Sequence, residues 1–162
     1  MNKSIIVPLL AILILVSVNL AEAQQTKKIP KIGFLVSGSP SSTREVGEVE
    51  AFRQGLRELG YVEGQNIAIE YRYAEGVEER LLNLATELVQ LNVDLIFASG
   101  TTGTQAAKNA TKTIPIVMTS VTDPVGTGLV TSLAHPGGNV TGLSNFSELS
   151  GKQLELLKES IP

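Results

Sequence analysis

The 162-residue chain contains no cysteine and no tryptophan, and it has a single histidine. Without cysteine there are no disulfides, thiolate nucleophiles or cysteine-ligated zinc sites, so the fold must be stable through its core alone. Aromatic residues make up only 4% of the chain, which leaves few rings for stacking on bases. The net charge is only -3. Since both signs are scattered along the chain, we expect no nucleic-acid partner.

Nucleotide-binding and catalytic motifs are also missing. The segment "SGTTGTQ" lacks the lysine of a P-loop, because the next lysine along the chain is Lys108. The dinucleotide pattern Gly-x-Gly-x-x-Gly is absent as well, since the loop after the first predicted strand contains only Gly38. His135 lies in the polar segment "AHPGGN", which is typical of a surface turn. We therefore predict no catalytic residues, no metal site and no cofactor.

An apolar run begins the chain. It covers residues 5–20, follows Lys3 and closes on the small residues of Ala21-Glu22-Ala23. This pattern predicts a cleavable signal peptide over residues 1–23, and hence a periplasmic protein. The alternative is a membrane anchor, but the run is shorter than the roughly 20 residues that span a bilayer and is interrupted by a proline and an asparagine. Gln24 follows the predicted cleavage site, and a lipoprotein would have cysteine there.

Segments typical of strands and of helices then alternate four times. The strands are predicted at 31–36, at 66–73, from Asp94 onward and at 114–121. Between them, apolar residues recur at helical spacing over 46–59 and 81–91, and an alanine-rich helix follows the third strand. Four such alternations with apolar strands predict an α/β fold with a doubly wound parallel sheet. The common strand order for this fold is 2-1-3-4, with ligands bound at the carboxyl ends of the first and third strands.

Glycine and hydroxyl residues are concentrated at those strand ends. The predicted rim consists of Ser37, Gly38 and Ser39 after the first strand, Ser99, Gly100, Thr101 and Thr102 after the third, and Ser120 and Asp123 at the end of the fourth. Two interpretations stay open on local sequence. The residues form a binding rim, or they are ordinary helix caps and turn formers. Asp123 has the same ambiguity because it precedes Pro124.

Longer stretches carry a family resemblance. They are "KIGFLVSGSP", "AFRQGLRELGYVEGQNIAIEYRYAEG", "LATELVQLNVDLIFASGTTGTQAAKNAT", "IPIVMTSVTDPVGTGLVTSLAHPGGNVTGLS" and "KQLELLKESIP". From about Ile29 onward the chain resembles the N-terminal half of bacterial periplasmic ABC-transporter substrate-binding proteins of the type I, two-lobed fold. The resemblance implies an N-terminal lobe over 24–139. It makes 140–162 the crossover and the first helix of a second lobe that the sequence lacks.

The resemblance also implies a function. A small organic solute, an amino acid or a similar carboxylate, would be trapped between two lobes and delivered to a membrane permease by a monomeric, non-catalytic protein. Its carboxylate would accept hydrogen bonds from the amides and hydroxyls of Thr101 and Thr102, and Asp123 would receive an ammonium group. Two alternatives remain: a solute-sensing module that acts on a membrane kinase or receptor, and an exported α/β enzyme whose other catalytic groups lie outside this chain.

Overall fold

The computed structural model of the protein describes residues 28–145 and 158–160. The predicted signal peptide over 1–23 lies outside the described residues, and so does most of the predicted helix over 151–162, of which 158–160 are described and helical. Within the described ranges, no helix combines the length and apolar character needed to cross a membrane.

One parallel sheet organises the described residues. Its strands are β1 (Lys31–Val36), β2 (Ala68–Tyr73), β3 (Leu95–Ser99), β4 (Ile116–Val121) and β5 (Val140–Ser144). The helices between them are α1 (Thr43–Glu58), α2 (Leu81–Gln90), which follows a 3-10 turn at Glu78–Arg80, and α3 (Gly100–Ala110). The strand order is β2-β1-β3-β4-β5, and every pair is parallel. This confirms the doubly wound α/β sheet and the order 2-1-3-4, to which residues 140–144 add a fifth strand.

The stripe of leucines on α2 packs against one face of the sheet. Leu81, Leu84, Ala85 and Leu88 are buried, as the helical spacing predicts. Gly33 in β1 permits this close packing, since a Cβ atom there would lie 2.9 Å from Cδ1 of Leu88. Complete burial of a leucine side chain stabilises the fold by roughly 1.5–3 kcal/mol.

Five aromatic side chains cluster on the opposite face of the sheet, under α1. Phe34 of β1 stacks on Phe97 of β3 with 4.8 Å between ring centroids, and Phe52 of α1 lies 5.1 Å from Phe34. Tyr71 of β2 extends this cluster and lies beneath the guanidinium of Arg53. Burial, helped by the nearby charge of Glu63, raises the pKa of Tyr71 to about 12. These rings therefore attach α1 to the sheet through edge-to-face and stacked contacts.

The edge strand β5 approaches β4 unusually closely. Gly142 has φ +139, and a Cβ atom at this position would lie only 2.1 Å from the backbone oxygen of Met118. The pairing register shifts between Met118 and Val121, which marks an irregularity in β4. Glycine is therefore required in β5, and the irregularity falls where β4 reaches the carboxyl edge of the sheet.

Candidate ligand-binding site

The carboxyl ends of β1 and β3 bring two of the predicted rim segments together. The two strands are hydrogen-bonded neighbours, so the residues that follow them emerge side by side. The hydroxyl oxygens of Ser37, after β1, and Thr102, after β3, lie 3.4 Å apart. Residues 65 positions apart in the sequence thus form one polar edge at the point where the winding of the sheet reverses.

The segment after β3 is the start of a helix. From the sequence we expect Ser99–Thr102 to form a loop between the third strand and the helix that follows it, but β3 ends at Ser99 and α3 begins at Gly100. Gly100 has φ +75, a left-handed conformation that favours glycine and that turns the chain sharply here. Thr101 and Thr102 therefore occupy the first turn of α3, where backbone N–H groups have no partner within the helix. Because these N–H groups lie at the positive end of the helix dipole, they suit an anion.

Ser99 occupies the N-cap position of α3 but makes no capping hydrogen bond with its side chain. Its buried hydroxyl donates instead to Oε2 of Glu48 on α1, at 2.8 Å. Ser99 thus holds the cap position, as one of the two interpretations expects, but its hydroxyl does not cap the helix. The N–H groups at the start of α3 stay uncovered by this side chain.

Most polar groups of the loop after β1 are used in hydrogen bonds that hold the loop in place. The carbonyl oxygens of Ser37 and Gly38 accept hydrogen bonds from the backbone N–H groups of Gly76 and Glu75, at 2.8 and 2.9 Å. Ser39 and Ser41 share a hydrogen bond between their hydroxyls at 2.9 Å. In this loop the Ser37 hydroxyl is the group that contacts the start of α3, whereas Gly38 and Ser39 shape the turn.

The end of β4 contributes a left-handed residue and a turn. Ser120 has φ +57, which is rare for a residue with a side chain and costs roughly 1–3 kcal/mol. Strain of this kind, next to a strand irregularity, concentrates at functional sites. Asp123 forms a turn, since its Oδ1 accepts the Gly126 N–H at 2.8 Å and its carbonyl oxygen accepts the Thr127 N–H at 3.1 Å. The structure thus shows the turn-forming role of Asp123.

Glu48 is a residue at this rim that the sequence argument missed. Besides Oε2, which accepts the Ser99 hydroxyl, its Oε1 is buried and accepts no hydrogen bond within the described part of the protein. A signal for it exists in the sequence, because Glu48 lies one helical turn before Phe52 and beside Val49, on the inward side of α1. Over the same described ranges, no group of three acidic, histidine or cysteine side chains is arranged to hold a metal ion.

Comparison with known proteins decides the family. The sequence profile of the family described as ABC transporter substrate binding protein matches residues 36–162. The chain belongs to this family. A tyrosine-binding protein from Clostridioides difficile (strain R20291) is 45% identical to this chain over 113 residues. These residues are 70% of this chain and 32% of the relative. The chain thus spans about a third of that relative's length.

Several solved structures share the fold. A ligand-free, open substrate-binding protein with adhesive properties from Clostridium difficile has a TM-score of 0.72 and 38% identity, covering 81% of this chain and 43% of its own. A conserved domain protein from Vibrio cholerae has a TM-score of 0.70 and 39% identity, and the match covers 83% of this chain and 45% of that protein. An ABC domain from Streptococcus pneumoniae, solved in complex with L-Trp, has a TM-score of 0.65 and 35% identity. This match covers 72% of this chain and 39% of that one.

Proposed function

We propose that this chain contributes the first lobe of an extracytoplasmic solute-binding protein of an ABC importer, and that its solute is an amino acid. The observation that carries the proposal is the meeting of Ser37 with Thr102 beside the uncovered N–H groups of α3. The relatives add support, because one is described as tyrosine-binding and another was solved with L-Trp. An aromatic amino acid is therefore the solute class that we propose.

In this proposal the start of α3 binds the solute carboxylate. The N–H groups of Thr101 and Thr102 donate to the carboxylate oxygens, and the helix dipole adds about half an elementary positive charge at this end. The hydroxyls of Ser37 and Thr102 lie within reach of the same group. No lysine or arginine is needed, which suits a receptor that must later release its solute.

We propose the remaining parts of the transport cycle by analogy with the family. Residues 24–139 would form the first lobe, and the chain from residue 140 onward would lead to a second lobe that closes on the solute. A signal peptide over 1–23 would export the protein to the periplasm, where a membrane permease receives the solute. The protein acts by binding and release, without catalysis, and as a monomer when both lobes are present.

The proposal is tested by adding L-tyrosine or L-tryptophan to the isotope-labelled chain and following its backbone amides by NMR. We expect the amide signals of residues 99–102 to shift. Thr102→Val, which removes the hydroxyl but keeps the shape, should weaken binding about two- to tenfold, the value of one hydrogen bond. Thr86→Val is the matched control, since this exposed hydroxyl bonds only to the carbonyl of Leu82 on α2. Because a second lobe would complete the cleft, we expect binding to this lobe by itself to be weak, so both amino acids are added at high concentration; amides at 99–102 that still do not respond would refute the proposal.

A further inference from the structure

We infer that Glu48 binds the ammonium group of the solute, and that the site thereby selects amino acids over carboxylic acids that lack an amino group. This inference rests on the proposed function and adds a recognition role that neither the sequence motifs nor the relatives' descriptions assign. It also moves the ammonium contact from Asp123, the candidate by sequence, to α1.

One carboxylate oxygen of Glu48 still lacks a hydrogen-bond donor among the described residues. An ionised carboxylate only accepts hydrogen bonds, and the Ser99 hydroxyl already donates to Oε2 at 2.8 Å. Oε1 is buried without a donor from any residue that the structure describes. A buried carboxylate oxygen left in this state is costly, whereas a charge-assisted hydrogen bond to it is strong. The site therefore favours a ligand group that brings its own proton donors.

The neighbours of Glu48 favour an ammonium as that donor. Because Ser99 uses its hydroxyl hydrogen on Glu48, it presents only lone pairs to a ligand. An ammonium has three N–H donors, enough to serve both Oε1 of Glu48 and the oxygen of Ser99. Arg44 lies one helical turn before Glu48 but makes no ion pair with it in the described structure. The carboxylate is thus left without a protein cation.

The position of Glu48 suits a zwitterion. Glu48 contacts the residue directly before Gly100, and the N–H groups proposed to hold the solute carboxylate belong to the next two residues, Thr101 and Thr102. In an α-amino acid the ammonium and the carboxylate are attached to one carbon atom, so both groups must be bound close together. Because Oε1 of Glu48 is buried, the side chain must turn toward the rim when the ammonium binds, and the hydrogen bond to Ser99 sets where that turn starts.

Asp123 is less suited to this role. Its Oδ1 already accepts the Gly126 N–H at 2.8 Å, and the residue is exposed, where water weakens a charge interaction. Glu48 has a free oxygen in a drier environment. The hydrogen bonds thus favour Glu48 over Asp123, the carboxylate that the sequence suggested.

The test compares two probes that differ in the amino group. L-tryptophan and indole-3-propionate have the same ring and carboxylate, but only the first has an ammonium. Amide NMR on the wild-type chain should show tighter binding of L-tryptophan, with the Ser99 signal responding to that probe alone. Glu48→Gln keeps the shape of the side chain and an acceptor for Ser99, and should weaken L-tryptophan binding roughly tenfold or more. The same variant should leave indole-3-propionate binding unchanged.

The control is Glu50→Gln, which removes the same charge from the solvent side of α1, where Glu50 pairs with Arg57. It should leave the binding of both probes unchanged. If Glu48→Gln weakens both probes equally, or weakens neither, the inference is overturned while the proposed function stands. If the wild-type chain binds indole-3-propionate as tightly as L-tryptophan, the ammonium contact is wrong whatever the variant does. If neither probe shifts any amide at the rim, both the inference and the proposed function fail.

Discussion

The two ends of the sheet differ in how their polar groups are satisfied. At the amino end, Asp94 accepts the backbone N–H of Lys31 at 2.9 Å and the ammonium of Lys28, and the Lys31 ammonium donates to the Leu91 carbonyl at 3.1 Å. Asn139 donates to the carbonyl of Ile114 at 2.8 Å at the same end. The protein thus satisfies this end with its own groups.

At the carboxyl end, several groups lack such partners. The hydroxyls of Ser37 and Thr102 lie at the outer limit of a hydrogen bond, and one oxygen of Glu48 has no donor among the described residues. Ser120 adds backbone strain. The amino end thus contributes mainly to stability, whereas the carboxyl end carries backbone strain and an oxygen unpartnered within the described residues, which is what the proposed solute site would need.

The largest effect on stability is expected at the amino end. Asn139→Ala removes an amide that donates to the carbonyls of Ile114 and Thr111 and leaves both carbonyls short of a donor. The free energy of unfolding should fall by about 1–3 kcal/mol in urea denaturation, with solute binding unchanged. Asn109→Ala removes an exposed amide that bonds only Gln105, and should change stability by less than about 0.5 kcal/mol. If both variants lose the same free energy of unfolding, the amino end of the sheet has no special part in stability.

A smaller effect of opposite sign is expected at the carboxyl end. Ser120→Gly relieves the left-handed strain, so the free energy of unfolding should rise by up to about 1 kcal/mol. Thr119→Gly is the matched control, because this neighbouring residue has no left-handed strain to relieve and should lose roughly 0.5–1 kcal/mol. Thermal unfolding of the two variants measures the difference. Destabilisation by both would show that Ser120 carries no strain worth relieving.

The smallest expected effect is on the stability of the protein at acid pH. Hydrogen bonds from Lys28 and from the Lys31 backbone hold the pKa of Asp94 below its usual value of 3.8. A carboxylate with a lowered pKa adds stability above that value, and the addition is lost as the pH falls through its lower folded-state pKa. Asp94→Asn should therefore remove a small part of the acid dependence of the unfolding midpoint, and leave solute binding intact. An unchanged profile between pH 5 and acid denaturation would contradict this use of Asp94.

The sheet was predictable because its signals are local. The apolar strands and the leucine stripe from Leu81 to Leu88 predicted the elements, right-handed crossovers predicted a doubly wound sheet, and the common strand order of such sheets predicted the order 2-1-3-4. The start of α3 was misplaced, since no local pattern shows that the helix begins at Gly100 in a left-handed conformation. Glu48 was missed because its partner, Ser99, lies 51 positions away and only the packing of α1 on the sheet joins them. The sequence left Asp123 either a ligand contact or a turn former, and the structure shows the turn, in which Asp123 accepts the Gly126 N–H.

Lys108, near the far end of α3, adds a mechanical consequence. Its ammonium donates to the carbonyls of Gly128 and Leu129, the latter at 3.1 Å, in the segment that follows β4. The helix whose first turn contains Thr101 and Thr102 is therefore attached, near its other end, to the segment that follows Ser120 and Asp123. If a solute binds at Thr101 and Thr102 as we propose, we expect a shift of α3 to be felt in that segment as well, because Lys108 joins the two.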